Sequence, residues 1–179
     1  MRTVAARNPD TLVIGVDANA DALRATSRRC AAKPSRGGLV NALLGRLALA
    51  DAPGELAGLA DALTVLLPWG SLLAAVARPE PSALRALGAL CKEHAEIRVV
   101  LGYGPATEGA MIRELGLPAL DAAGALAELE SVYRAAGLAV RARAARVDEI
   151  RALPTTWAKR LAFSGHERRY VELRGRVLR

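Results

Sequence analysis

The chain is 179 residues long, 52% of them hydrophobic and 3% aromatic, and it carries a net charge of +7. The apolar content excludes a disordered chain, and the longest apolar stretches are too short to cross a bilayer. Because the N-terminus lacks an apolar core of signal-peptide length, we expect a cytoplasmic protein without a membrane partner.

Strand and helix patterns alternate along the sequence. The predicted strands cover residues 11–17, 42–49, 62–67, 96–101, 138–147 and 170–175. The predicted helices cover residues 21–32, 81–91 and 121–136, with a short helix from Asp148 and a loop at 33–38. This alternation predicts an α/β fold built on a doubly wound sheet. In such sheets, ligands bind beyond the carboxyl ends of the strands.

Three features follow the predicted strands at that edge. Asp17 ends the first strand, Asp51 follows the second, and Pro68-Trp69-Gly70 follows the third. A carboxylate at the end of a strand commonly binds the ribose hydroxyls of a nucleoside cofactor. One such acid is a weak signal because turns are rich in Asp. The three features together predict a nucleoside site.

The positive charge is concentrated near the C-terminus. Residues 141–179 hold 11 Lys or Arg against 4 Asp or Glu, whereas residues 1–140 hold 14 of each. Trp157 lies inside this basic segment, and it and Trp69 are two of only six aromatic residues. Each Trp alone is expected to fill a local gap. Two flat faces beside basic residues predict instead a site that holds an unstacked nucleobase; a solvated Arg-rich face is the alternative reading of the charge.

The sequence gives little support for a metal site or for a catalytic nucleophile. Cys30 and Cys91 are far apart in the sequence, and His94 and His166 are isolated. We therefore expect two reduced, buried thiols, no metal site and no Ser/His/Asp triad.

Four segments of the chain resemble one known family. They are NPDTLVIGVD at 8–17, KPSRGGL at 33–39, LPWGSLL at 67–73 and TTWAKRL at 155–161. Together they resemble the aminoglycoside-resistance 16S ribosomal RNA methyltransferases of the adenine-N1 group, whose target is adenine 1408 of the decoding site. The resemblance extends along nearly the whole chain.

The resemblance implies a Rossmann-like class I methyltransferase sheet with helices on both faces and S-adenosylmethionine as cofactor. By that similarity, Asp17 holds the ribose and Thr155 lines the methionine side. Asp51 stands one residue after the usual acidic position, which aligns with Ala50. Leu67 and Trp69 lie beside the cofactor, and a main-chain carbonyl near Leu67 accepts a hydrogen bond from the adenine amino group.

The resemblance also implies how the RNA is bound. Trp69 and Trp157 are the catalytic residues that sandwich the flipped adenine. The residues expected on rRNA phosphates are Lys33, Arg36, Lys159, Arg160 and Arg168. The partner is then the 30S subunit, bound by a monomer. Adenine N1 has its own lone pair and the sulfonium is already activated, so positioning is enough and no general base is needed.

The chain departs from the family in lacking an Asp-x-Gly-x-Gly-x-Gly loop and the first, central strand of the sheet. We expect a single methyltransferase domain over 1–179, N-terminally truncated relative to the family, with 141–179 as its RNA-facing part. The alternative is a non-catalytic RNA-binding remnant. A nicotinamide dehydrogenase is disfavoured because no Gly-x-Gly-x-x-Gly precedes a helix.

Overall fold

The computed structural model describes residues 1–155, 158 and 168–178. The strands are β1 (Val13–Asp17), β2 (Ala42–Arg46), β3 (Ala60–Leu66), β4 (Cys91–Tyr103), β5 (Leu138–Ala144) and β6 (Arg169–Val177). The helices are α1 (Arg2–Arg7), α2 (Ala20–Cys30), α3 (Gly70–Ala77), α4 (Pro81–Ala89), α5 (Pro105–Leu115), α6 (Ala125–Ala135) and α7 (Val147–Arg151). The predicted α/β class is confirmed. Helices α1, α3 and α5 are additions to the elements that the periodicity predicts.

The chain folds as two compact units. The N-terminal unit comprises Met1–Ala52 and the short segment that begins at Pro154, and the C-terminal unit comprises Pro53–Leu153 and the described residues that follow. Within the described residues, no helix is long and apolar enough to cross a membrane.

The N-terminal unit is built on a pair of parallel strands. β1 and β2 pair in register from Val13 opposite Ala42 to Asp17 opposite Arg46. Helix α2 packs against both strands. A two-stranded sheet is marginal by itself, and packing against a helix is one way to stabilise it. A small core forms around Ala5, Cys30 and Ala42, joined by Val13 and Leu44.

Asn41 ties together the loops around this pair of strands. Its side-chain amide donates to the carbonyl oxygens of Ala5 at 3.0 Å, Asn8 at 2.9 Å and Thr11 at 2.9 Å. The first carbonyl belongs to α1, and the other two lie in the turn that leads into β1. One side chain therefore fixes the path of the backbone from α1 to β1.

The other face of the pair is apolar and open. Leu12, Ile14 and Val16 are exposed, as is Leu43, which lies beside Ile14 on β2. In the part of the chain that the structure describes, no third strand pairs with β1 or β2.

The C-terminal unit contains a four-stranded mixed sheet in the order β3-β4-β6-β5. β3 is parallel to β4, and β6 lies antiparallel between β4 and β5. Side chains alternate between the two faces of each strand. On one face, Val99 and Leu101 are fully buried, and α4 approaches the same face, where Gly88 lies against Leu138.

The opposite face of this sheet is divided into two parts. At one end, Val100 and Tyr170 form a buried cluster with Ile150 of α7 and with Leu153 and Ala158. Helices therefore cover both faces of the sheet, as predicted. The remainder of this face carries charged side chains.

We predict that Asn41→Asp destabilises the N-terminal unit by about 1–3 kcal/mol, because the carboxylate cannot donate to the three carbonyls. Thermal unfolding, combined with amide hydrogen exchange over β1 and β2, measures the loss. Asn8→Asp is the matched control, since its amide makes a single local bond to Val4. Equal losses in the two variants would contradict the role of Asn41.

Candidate functional site

The turn that follows β3 holds an unusual backbone conformation. Leu67 has a φ of +50°, a left-handed value that bulky residues rarely adopt. Its amide donates to the carbonyl of Val100 at 2.8 Å, and its side chain is buried beside Val100 and Tyr170. Strain of this kind persists only where the surroundings over-determine it, and such positions cluster at functional sites.

The same turn presents Trp69 to solvent. Trp69 is extended, with φ −130°, and precedes the first turn of α3, while Gly70 has a φ of +57°. Gly is the residue that adopts such a φ without steric cost. The indole is 54% exposed, so Trp69 does not serve as buried filler. A half-exposed indole on a fixed backbone is a suitable stacking surface for a flat ring.

A buried ion pair lies at the same edge of the sheet. Arg168 donates to Oε1 of Glu108 through Nε at 3.0 Å and through Nη2 at 2.5 Å. Both side chains are only 6% exposed. The other oxygen of Glu108, Oε2, accepts from the amide of Gly104 at 3.0 Å and from the hydroxyl of Thr107 at 2.6 Å. Glu108 therefore joins the turn after β4 to the residue that precedes β6.

The charge of Glu108 is stabilised by these contacts. Burial alone would raise the pKa of its carboxyl, but the hydrogen bonds from Arg168, Thr107 and Gly104 bring the pKa below its ordinary value. The carboxylate is therefore ionised at neutral pH and pairs with the guanidinium of Arg168.

The strand directions bring these features together. β3 and β4 are parallel, so the turn with Trp69 and the helix with Glu108 follow strand ends at one edge. β6 is antiparallel to β4, so Arg168 immediately precedes its start at that edge. Arg168 is one of the residues that the sequence predicts to contact RNA, but its guanidinium group pairs with the carboxylate of Glu108. Its contact with rRNA stays a prediction.

Asp17 and Asp51 share an edge of the N-terminal sheet. Asp17 ends β1, and its Oδ1 accepts from the amide of Asn19 at 2.8 Å. Within the described residues, its Oδ2 receives no hydrogen bond. Asp51 is exposed in the 3-10 turn Leu49–Asp51 that follows β2. Since β1 and β2 are parallel, both carboxylates follow carboxyl ends of strands, where the sequence predicts a nucleoside site.

Lys33 and Arg36 occupy a different part of the N-terminal unit. They flank the 3-10 turn Pro34–Arg36, between α2 and β2, and both are exposed. This loop precedes β2, so it lies at the edge opposite to Asp17 and Asp51. The structure therefore does not group these two cations with the two acids.

The remaining predicted residues fall in or near the C-terminal segment. Thr155 is half-buried. Trp157, Lys159 and Arg160 lie outside the described residues. Cys30 and Cys91 are both buried, as predicted. Among the described residues, no group of three or more His, Cys, Asp or Glu side chains could hold a metal ion.

Glu108 is not among the residues that the sequence predicts for the site. The signal that points to it is the order Gly104-Pro105-Ala106-Thr107-Glu108, with Pro opening a helix and an acid in its first turn. The partner of this acid is 60 residues away, so the pattern does not disclose the ion pair.

An α/β fold with acids and an exposed indole after the ends of its strands is the arrangement expected of a nucleoside-binding enzyme. A sequence model of the family described as NpmA, 16S rRNA (adenine(1408)-N(1))-methyltransferase, matches residues 1–176. The 16S rRNA (adenine(1408)-N(1))-methyltransferase of Escherichia coli is 33% identical over 182 residues, which cover 97% of this chain and 80% of the relative.

Solved structures agree with this match. The aminoglycoside resistance methyltransferase NpmB1 is 38% identical, with a TM-score of 0.77 over 97% of this chain and 80% of that one. A variant of the 16S rRNA (adenine(1408)-N(1))-methyltransferase from Catenulisporales acidiphilia, solved with cosubstrate SAM, is 29% identical; its TM-score is 0.80, over 99% of this chain and 80% of that one. The chain therefore belongs to the 16S rRNA (adenine(1408)-N(1))-methyltransferase family.

This membership confirms the predicted enzyme class. The family is named for methylation of adenine 1408 of 16S rRNA at N1, and one of the solved structures that the chain resembles is an aminoglycoside resistance methyltransferase. The alternative of a non-catalytic remnant is not favoured.

We predict that Glu108→Gln destabilises the C-terminal unit by about 3 kcal/mol at neutral pH, because it leaves Arg168 buried without a charged partner. The folded-state pKa of Glu108 is lowered, so its stabilising effect is present above the ordinary glutamate pKa of about 4.3 and is lost as the pH falls through the lower folded value. Urea unfolding at several pH values measures both effects.

Glu114→Gln is the matched control, since Glu114 is an exposed acid of the same helix. The stability difference between parent and Glu108→Gln should shrink toward acid pH. A difference that is independent of pH would contradict the paired carboxylate.

Proposed function

We propose that this chain transfers the methyl group of S-adenosylmethionine to N1 of adenine 1408 within the small ribosomal subunit. The observation that carries the proposal is the turn at Leu67–Gly70, where a buried, strained leucine fixes a half-exposed tryptophan. Such a turn offers a rigid stacking surface after a strand end, where α/β enzymes bind their ligands.

Trp69 is proposed to receive the target base. Taking an adenine out of its stack costs a few kcal/mol, and stacking on an aromatic side chain returns about 1–3 kcal/mol per base. One indole thus offsets a large part of the cost, and Trp157 is proposed as the second face. The fixed backbone at Leu67 and Gly70 lowers the entropy that Trp69 loses when the base binds.

Asp17, Asp51 and Thr155 are proposed to hold the cofactor. Asp17 suits a ribose diol, because one carboxylate oxygen is held by Asn19 and the other receives no hydrogen bond among the described residues. Asp51 would contact the adenine side and Thr155 the methionine side. S-adenosylmethionine supplies an activated methyl group at its sulfonium.

In the chemical step, the protein has to orient the adenine relative to the methyl group. Adenine N1 carries an available lone pair, so the attack needs no proton removed beforehand. The carbonyl of Leu67 is proposed to accept a hydrogen bond from the adenine amino group. This bond would select adenine and leave N1 facing the methyl group. Leu67 is suited to this because its amide is bound to Val100 and its side chain is buried. Positioning of this kind accounts for a large part of enzymatic rate enhancement.

Basic residues are proposed to bind the rRNA backbone. Lys33 and Arg36 are exposed in a short turn, and the other proposed contacts are Lys159 and Arg160, in the RNA-facing part at residues 141–179. Contacts with phosphates make the affinity depend steeply on salt. The enzyme would act as a monomer in the cytoplasm, where the small ribosomal subunit is found.

The proposed function is tested by a methylation assay, followed by mapping of the modified nucleotide. The chain is incubated with purified small ribosomal subunits and labelled S-adenosylmethionine, and the modified nucleotide is located by reverse transcription. We expect a single stop at adenine 1408, and label at another nucleotide or none at all would contradict the proposal. In the same assay, Trp69→Ala should reduce turnover by about 5- to 150-fold, the equivalent of 1–3 kcal/mol of lost stacking, whereas Trp69→Phe keeps an aromatic face and should retain part of the activity.

The stability of both Trp69 variants should stay near that of the parent, because the side chain is half-exposed. Thermal unfolding checks this point. Normal turnover by Trp69→Ala would show that the indole does not hold the target base.

Asp17→Asn is predicted to weaken cofactor binding by about tenfold or more, because a hydrogen bond to a charged acceptor is worth about 1.5–3 kcal/mol. Calorimetric titration with S-adenosylmethionine measures the change, and affinity for the ribosomal subunit should not alter. Asp10→Asn is the matched control, an exposed acid before β1. Equal cofactor affinities for parent and Asp17→Asn would remove Asp17 from the site.

A further inference from the structure

Three arginines stand side by side across the four-stranded sheet. Arg98 on β4 lies opposite Arg174 on β6, and Arg174 lies opposite Arg141 on β5. Directly opposed residues on neighbouring strands point to the same face, so this face carries a row of like charges. Like charges in this arrangement destabilise a sheet unless other groups compensate them. We call these three residues the arginine row.

The compensation comes from two acids and is incomplete. Glu172 is next to the row, and its side chain is only 5% exposed. It accepts from Nε of Arg98 at 2.7 Å, and its other oxygen pairs with Arg143. Glu130 accepts from Arg141 at 3.2 Å, although the Arg141 side chain remains 86% exposed. Within the described residues, Arg174 has no acidic partner, and it is exposed.

The row borders a shallow pocket. Its lining residues are Arg141, Arg143, Glu172 and Arg174, and its volume is about 290 Å³. Both oxygens of Glu172 are paired, one with Arg98 and the other with Arg143. The negative charge of Glu172 at the pocket is therefore already neutralised. Arg141, Arg143 and Arg174 border a space that is large enough for an anion. Arg141 is paired with Glu130 and Arg143 with Glu149, so Arg174 supplies the charge that has no acidic partner among the described residues. Guanidinium groups bind phosphates by paired, parallel hydrogen bonds.

The charge around the pocket favours a nucleic acid over an acidic protein. The row projects from three strands held in register, so the backbone positions of its residues repeat at the strand spacing of about 4.8 Å. A phosphate backbone offers a regular series of anions, whereas an acidic peptide offers carboxylates on flexible side chains. In the sequence, residues 141–179, which include Arg141 and Arg174, contain 11 basic and 4 acidic residues.

We propose that the arginine row binds backbone phosphates of the RNA substrate, as an anchoring surface on the sheet itself. The inference rests on the proposed function, and it adds residues of β4, β5 and β6 to the RNA contacts. These arginines do not touch the reacting atoms. They hold the RNA backbone, so their loss should act on binding and leave the chemical step intact.

The experiment uses the full chain and purified small ribosomal subunits. Affinity is measured by filter binding over a series of salt concentrations for the parent, Arg174→Gln and Arg174→Glu. Arg174→Gln should weaken binding several-fold at low salt and reduce the salt slope by about 1, the expected loss of one phosphate contact. Arg174→Glu should weaken it further. Turnover at saturating subunit concentration and S-adenosylmethionine affinity should remain those of the parent.

Arg85→Gln is the matched control. Arg85 is exposed on α4, which packs on the other face of the sheet, and its replacement removes the same charge. If the parent methylates the subunit and the Arg174 variants keep its affinity and salt slope, the arginine row is not an RNA surface, although the proposed function stands.

If the parent neither binds nor methylates the subunit, the proposed function fails. A synthetic RNA duplex then tests the surface by itself, and an unchanged salt slope for Arg174→Gln on the duplex overturns the inference. Unchanged RNA binding, together with polyglutamate binding that Arg174→Glu abolishes, would assign the surface to an acidic protein and also overturn it.

Discussion

The C-terminal unit depends on β4 being hydrogen-bonded along both of its edges. β3 pairs with one edge and β6 with the other, so the position of β4 sets the ends of both neighbours. The carbonyl of Val100 on β4 also receives the amide of Leu67, which extends the ladder one residue beyond β3. This bond, with the buried leucine side chain, holds the turn that presents Trp69. The arrangement of the candidate site thus follows from the pairing of one central strand.

The fold was predictable where apolar runs are long and uninterrupted. Apolar runs of this kind are typical of strands in a parallel sheet, so residues 62–67 and 96–101 are predicted as strands, and residues 11–17 are predicted on the same ground although one face of β1 is open. The start of β4 was not predicted because Lys92, Glu93 and His94 are polar. The strand begins at Cys91, which pairs with Ala60, and its register with β3 shifts before Glu96. Helix α3 was not predicted because it follows directly on a turn. The separation into two sheets depends on contacts between distant segments, which local periodicity does not contain.

The candidate site was predictable to the extent that it follows from strand ends and from rare residue types. Asp17 and Trp69 could be found because each directly follows a strand, and tryptophan is scarce in this chain. Glu108 was not predictable, since an acid in the first turn of a helix is common and its partner is remote. The arginine row was not predictable either. Alternation indicates which face Arg174 occupies, but only the register shows that Arg98 and Arg141 flank it.

The open face of β1 and β2 influences how the purified chain should behave at high concentration. Leu12, Ile14 and Val16 form a stripe of exposed apolar side chains along β1, and this strand is short and has few charges. Sheet edges and apolar patches of this kind are where protein molecules stick to one another. Self-association is therefore expected to begin at β1, and not at β6, whose two edges are already occupied by β4 and β5.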